Sequence, residues 1–297
     1  MADKVFVVTG ATSGIGRALV SELAKTGETV VLVARDADRG AAALEEIRAA
    51  SPDSSLDLQL CDLSILSSVR NLAEILKSRY EKIDVLVNNA SVYKRSRLVT
   101  VDGFEEMFAA NHLGPFLLTN LLLGPLQAAA QAHGSARILN ITVPSTVTLD
   151  FDDLHSERNF KPLDAFGATR TASLLFTLEL ARRLENTGIT VHAIHPGMAR
   201  AGLTEEETSL LSRLFSRLTS STPEKVSAAL LQAATAPEFE KETGKFLHNG
   251  EEIELSEYAR DRSAQQRLWE ISEQLTGLAE TKGVTPVNDP HLDIPGS

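Results

Sequence analysis

At 297 residues, with 43% hydrophobic and 23% charged side chains and no Pro/Gly/Ser-rich linker across 1–277, the chain reads as one globular domain over 1–278. Forty acids against 29 bases give a net charge of −11, which argues against nonspecific binding of nucleic acid or an anionic membrane surface. The single cysteine, Cys61, excludes an intramolecular disulfide and a zinc cluster, and its apolar setting suggests a small buried side chain.

The first element is the strand Val5-Phe6-Val7-Val8, which stops at Thr9-Gly10 and runs through a glycine-rich turn into a helix. In that turn Gly10, Gly14 and Gly16 flank Thr12, Ser13 and Ile15. Glycines at this spacing allow a tight exit from the strand, close approach of a phosphate to the backbone, and close packing of helix on sheet. The N–H groups of the helix start would face the pyrophosphate of a dinucleotide. The strand before it and the helix after it favour this over a merely structural turn.

Thr29 to Val33 forms a second strand, closed by Ala34-Arg35-Asp36. An acid closing this strand holds ribose hydroxyls, whereas an arginine accommodates a 2′-phosphate, so Arg35 favours NADP(H) over NAD(H). A helix over 37–50 stops at Ser51-Pro52-Asp53, and Leu56 to Cys61 is the third strand, followed by Asp62-Leu63 and a helix that Ser64 can cap. Strand four, Ile83 to Val87, runs into Asn88-Asn89-Ala90-Ser91. A long helical segment over about 102–130 carries Asn111; its apolar run is broken by Asn120, Gly124, Pro125 and Gln127 and so is no membrane span. Strand five is Arg137 to Ile141, and a helix near 164–186 leads to strand six, Thr190 to His195, ending in Pro196-Gly197. A charged helical stretch over about 198–240 is expected to form a lid on the substrate side. Gly244 to Leu247 is a candidate last strand, 257–277 a helix containing Trp269, and 279–297 a disordered tail. A strand starting almost at once, with no leader, suggests a cytoplasmic protein.

Strict alternation of strands and helices specifies an α/β fold of Rossmann type: a doubly wound parallel sheet in three αβα layers. Ligands in such sheets bind beyond the carboxyl ends of the strands, where every motif above falls.

These residues resemble the short-chain dehydrogenase/reductase family, in its retinol-dehydrogenase-like branch. The resemblance rests on TGATSGIG at 9–16, ARD at 34–36, CDL at 61–63, NNAS at 88–91, NHLGPFLLT at 111–119, FDDL at 151–154, LFTLELARRL at 175–184, HPG at 195–197 and LWEISEQLTG at 268–277. It implies that the glycine turn carries the pyrophosphate, that the Asp62 carboxylate, beside Leu63, binds adenine, and that Asn89-Ala90 lines the ribose. Pro196 and Gly197 belong to the same cofactor site.

The family usually works through an Asn, Ser, Tyr, Lys tetrad, and here only Asn111 matches. Val143 stands at the serine, Phe166 at the tyrosine and Arg170 at the lysine. Ala201 replaces a threonine that usually holds the nicotinamide carboxamide, and Ser91 replaces the glycine of NNAG. The adenosine half is therefore kept, while the half for nicotinamide and proton transfer is dismantled. Thr142, Ser145 and Thr146 are candidates for a displaced hydroxyl, and Tyr93, His112, His155, Asp152 and Asp153 for a relocated acid.

Three functions follow. The first is an atypical enzyme, of the kind to which some family members in secondary metabolism have drifted, performing cyclisation, isomerisation or iminium reduction on an apolar small molecule. Val143 and Phe166 would line its pocket, with Arg170 and Asn111 as polar contacts. The second is an NADP(H)-dependent carbonyl reductase or alcohol dehydrogenase with a relocated acid and Arg170 at the ribose. The third is a non-catalytic nucleotide-binding protein. The family often forms dimers or tetramers through the helix holding Phe166, which leaves a homo-oligomer open.

Overall fold

A computed structural model describes residues 4–197 and 223–281. Eight strands form one sheet in the order β3-β2-β1-β4-β5-β6-β7-β8. They are β1 Val5–Thr9, β2 Thr29–Ala34, β3 Ser55–Leu60, β4 Val85–Asn88, β5 Ala136–Ile141, β6 Ile189–His195, β7 Lys245–His248 and β8 Glu251–Glu252. All neighbours pair in parallel except β7 with β8, which is antiparallel. The central strands are apolar on both faces because helices cover both.

The helices are α1 Gly14–Leu23, α2 Ala37–Ala50, α3 Leu66–Arg79, α4 Glu106–Phe108, α5 Gly114–Leu121, α6 Leu123–His133, α7 Pro162–Arg183, α8 Pro223–Thr235, α9 Glu257–Arg260, α10 Arg262–Leu275 and α11 Leu278–Thr281. On one face of the sheet, Val7, Val31, Leu86, Ile138 and Val191 pack against Leu72 of α3, Phe116 of α5 and Phe176 of α7. On the other, Phe6, Val8, Leu32, Val87 and Leu139 pack against Leu19 and Val20 of α1 and Leu230 of α8.

Four expectations change. The stretch expected as a lid over 198–240 lies outside the described residues up to 222, and its remainder is core: Val226, Leu230, Ala233 and Ala234 of α8 are buried with α1. Polar spacing alone does not show that the apolar stripe of α8 finds a partner more than 200 residues earlier. The helix expected over 102–130 begins only at Glu106 and is interrupted by a π-turn, Ala109–Leu113, that contains Asn111. It breaks again at Leu122, so that Glu106–Leu121 and Leu123–His133 meet at 55°. Among the described residues no single helix is long and apolar enough to cross a membrane. Ser64 does not cap α3: its N–H and hydroxyl both donate to Asp62 Oδ1 at 2.9 and 2.7 Å, and Asp102 Oδ2 accepts from Leu66 N at 2.8 Å instead. Finally, the helix expected over 257–277 divides at Asp261, whose carboxylate caps α10 by accepting from Ser263 N and Ala264 N.

The expected tail, 279–297, lies outside the described residues beyond Thr281. Cys61 is buried, and burial pushes its thiol up to about 11, in keeping with an inert side chain.

Candidate functional site

The carboxyl ends of β1, β4, β5 and β6 lie side by side, because these strands are neighbours in a parallel array. The glycine turn leaves β1 there. Gly10 has φ of 65°, and a Cβ on it would lie 2.8 Å from Ala90 Cα; a Cβ on Gly16 would lie 2.3 Å from Gly10 O. Gly14 has φ of 52° and open space around it. Ser13 takes the N-cap of α1 in extended conformation without a side-chain cap. Ser13 and Gly14 are exposed, with Thr12 and Ile15 half-buried. The start of α1 therefore presents uncapped N–H groups to open space, which fits the pyrophosphate of a dinucleotide.

The next loop braces this turn. Thr9 Oγ1 accepts from the N–H groups of Asn89 and Ala90 at 3.0 and 3.1 Å, and Asn89 Nδ2 donates to Thr9 O and Gly10 O at 2.9 and 3.2 Å. Asn89 thus spends its Nδ2 on the shape of the glycine turn, which leaves its Oδ1 and the neighbouring Ala90 for the ribose side that the resemblance implies. Asp62 keeps Oδ2 unpartnered among the described residues after Oδ1 is taken by Ser64. Leu63 buries its side chain in the core, so only its backbone can meet a ligand. Arg35 is exposed at the end of β2 and forms no ion pair among the described residues. Pro196 and Gly197 follow β6, and Ala201 lies outside the described residues.

On the catalytic side the groups converge but are largely used. Asn111 Oδ1 accepts from Val92 N at 2.7 Å, while Nδ2 donates to Val92 O at 2.9 Å and Thr169 Oγ1 at 3.2 Å. It cannot serve as a donor to substrate, contrary to the expectation above; it clamps the loop that carries Tyr93. Ser145 Oγ donates to Gly167 O at 2.9 Å and accepts from Val147 N at 3.2 Å. Thr142 Oγ1 donates to Arg170 O at 3.0 Å. Val143 is half-buried and Thr146 exposed.

Arg170 is 5% exposed, with its guanidinium carbon 4.8 Å from the centre of the Phe166 ring. Nε donates to Thr169 Oγ1 at 3.3 Å and Nη1 to Ile141 O at 3.4 Å, but Nη2 is buried without a partner among the described residues. Burial without a countercharge pulls its pKa down to about 10, so it remains charged at neutral pH.

Of the relocated-acid candidates, His112 is buried and held near a pKa of about 3 by desolvation. His155 stacks on Phe104 and accepts from Glu105 N. Asp153 accepts from Glu157 N and Arg158 N, and Asp152 pairs with Arg267 at the surface. Tyr93 alone of these meets position 166: its ring stands edge-on to Phe166 with centroids 5.7 Å apart, and its hydroxyl makes no hydrogen bond among the described residues.

Two features escaped the sequence. Thr9, the polar end of a buried strand, ties β1 to β4 and had a readable signal. The His195–His248 ring pair, with centroids 4.7 Å apart and planes tilted by 34°, had none, because only the β6–β7 register brings residues 53 apart together. Burial, and the neighbouring His248, lower the His195 pKa.

A profile of the short-chain dehydrogenases matches residues 4–210. This chain belongs to that family. Retinol dehydrogenase 12 of Mus musculus is 37% identical to this short-chain dehydrogenase over 279 residues, 93% of this chain and 87% of the relative. Human retinol dehydrogenase 13 is 36% identical over 286 residues, 93% and 85% of the two chains. Among solved structures, an uncharacterised protein from Mycobacterium paratuberculosis superposes with a TM-score of 0.73 at 30% identity, over 93% of this chain and 94% of its own.

Proposed function

We propose that this short-chain dehydrogenase is an enzyme that binds NADP(H) and acts on an apolar small molecule by a route that does not use the family's Ser, Tyr and Lys. When bound, the nucleotide would supply or accept hydride. Gly10, Gly14, Gly16 and the start of α1 would hold its pyrophosphate, Asp62 its adenine and Arg35 a 2′-phosphate. One observation carries the reading: the phosphate turn is kept and braced, while Asn111, Ser145 and Thr142 spend their polar groups internally and position 166 has no hydroxyl.

Arg170 narrows the chemistry. Its charge lies against the Phe166 ring with no carboxylate beside it among the described residues. A unit charge at about 5 Å in an effective dielectric of about 20 is worth roughly 3 kcal/mol. That field opposes a cationic iminium and favours isomerisation or cyclisation through an enolate-like state. A second reading, carbonyl reduction or alcohol oxidation with Tyr93 as the relocated acid, is favoured by the Tyr93–Phe166 contact. The names of the relatives accord with it.

The test is calorimetry of nucleotide-free protein with NADPH, NADP+ and 2′,5′-ADP, followed by all-trans-retinol and NADP+ with absorbance at the nicotinamide band. Binding without retinol oxidation, gained on Val143→Ser, Phe166→Tyr, Arg170→Lys together, is the expected result. Oxidation by the native chain that Tyr93→Phe abolishes establishes the second reading, and no binding of any nucleotide defeats both.

A further inference from the structure

Asn88, His112 and Arg170 line one small cavity of about 10 Å³ between β4, the π-turn and α7. This is the room of roughly one water molecule. Each residue carries a buried polar atom with no partner among the described residues: Asn88 Oδ1, His112 Nδ1 and Arg170 Nη2. Three orphaned atoms around one space of that size call for a shared occupant.

The character of each atom is dictated by its neighbours. Thr177 Oγ1 donates to Ser173 O at 2.8 Å, so it accepts from Asn140 Nδ2 at 2.9 Å. Asn140 therefore turns its oxygen to Asn88 Nδ2, 2.8 Å away, and Asn88 Nδ2 also donates to Thr119 Oγ1 at 3.0 Å. Asn88 Oδ1 is left as an acceptor. Ser272 Oγ donates to Leu268 O at 2.7 Å, so its lone pair accepts from His112 Nε2–H at 2.8 Å. His112 is then the Nε2–H tautomer, with Nδ1 a bare acceptor. Arg170 Nη2 can only donate.

Two acceptors and one cationic donor select the occupant. A cation is opposed by the guanidinium, an anion would face two lone pairs, and the volume admits no larger molecule. We infer that the cavity holds one structural water, which donates to Asn88 Oδ1 and His112 Nδ1, accepts from Arg170 Nη2, and fixes the guanidinium in its inward position. Three hydrogen bonds are typical of a buried water. His112 thereby becomes a positioning residue: a string runs from Arg170 through the water and His112 to Ser272 on α10. The inference stands apart from the proposed function, since it needs no nucleotide or substrate.

The experiment is a crystal structure of the full chain, at a resolution that shows ordered waters, with a parallel bromide soak. One water at about 2.6–3.2 Å from all three atoms is expected. An empty cavity, a bromide peak in it, or an outward Arg170 overturns the inference. In solution, the exchange rate of Arg170 Nε–H, assigned by its loss in Arg170→Lys, reads the positioning. His112→Gln keeps a donor for Ser272 and an acceptor for the water and should leave that rate unchanged. His112→Leu should raise it at least tenfold, and an unchanged rate there overturns the positioning role. If His112→Leu does not fold, the native crystals and His112→Gln still decide.

Discussion

Arg170 carries a full charge into a place where its contacts among the described residues are all neutral: a threonine hydroxyl, a strand carbonyl and an aromatic face. Lysine is compact and its charge can be relieved by deprotonation; arginine stays charged and needs a flat, multiply bonded seat. Part of that seat, Phe166 and Thr169, is local to α7, and the rest, Ile141 of β5, Asn88 of β4 and His112 of the π-turn, comes from parts of the chain far from Arg170 in sequence. The histidines lend themselves to a direct measurement at this scale. Burial lowers His112 to about 3 and His192 to about 4, whereas in the unfolded chain they titrate near 6.5. The unfolded state therefore binds more protons below that value. Their contribution to stability is fully present above pH ~6.5 and is lost as pH falls toward 4. Each is worth up to about 1.4 kcal/mol per pH unit. The urea midpoint should fall between about pH 7.5 and about pH 5, and His112→Phe should remove part of the fall, the rest coming from His192 and from His155 and His195, which burial also lowers. An equal fall in that variant would show that His112 already titrates freely.

Elements are joined here by single side chains reaching over long sequence distances. Asp102 caps α3 from 36 residues away, and Asn111, inside a π-turn, holds both the N–H and the carbonyl of Val92. A π-turn shifts the helix register locally and often marks a functional position. Here it aims Asn111 at the Tyr93 loop on one side and His112 at Ser272 on the other. The cap gives a test. Asp102→Ala should cost about 1 kcal/mol in global stability and speed amide exchange in the first turn of α3, whereas Ser64→Ala leaves that turn protected. Hydrogen exchange by mass spectrometry distinguishes the two variants; a loss confined to Ser64→Ala would restore the local cap. Ser64 was the plausible cap because it precedes the apolar run, and what displaced it was the nearer acceptor, Asp62.

Across the whole molecule, the long-range partnership of α8 with α1 closes one face of the sheet. A lid can be weakened without unfolding the protein, whereas a core helix cannot. Leu230→Ala should therefore destabilise the fold by about 2–5 kcal/mol, read as a lower urea midpoint at unchanged slope. Unchanged stability would return 223–235 to a peripheral role. The same packing logic holds the C-terminal segment: Trp269 of α10 lies against Phe116 and Phe176 at 4.9 and 6.0 Å, with Arg183 4.2 Å over its ring.

TGATSGIG by itself determined the glycine turn between β1 and α1, because strand, glycine spacing and helix are local and each glycine answers a local steric demand. The alternating apolar strands likewise determined a parallel sheet, and with it the edge on which ligands bind. The identities Val143, Phe166 and Arg170 were equally legible, since the presence or absence of a hydroxyl or an amine at a position needs no fold to be seen. What each polar group does was decided only in three dimensions. Asn111, the amide nitrogen of Asn89, and Ser145 have the right chemistry for a ligand, yet tertiary neighbours consume it, and Arg170 meets its unpaired companions Asn88 and His112 only once β4, the π-turn and α7 have packed. A hydrogen bond has a limited number of donors and acceptors to share, and which neighbour takes them is set by distances of about 3 Å that sequence spacing does not encode.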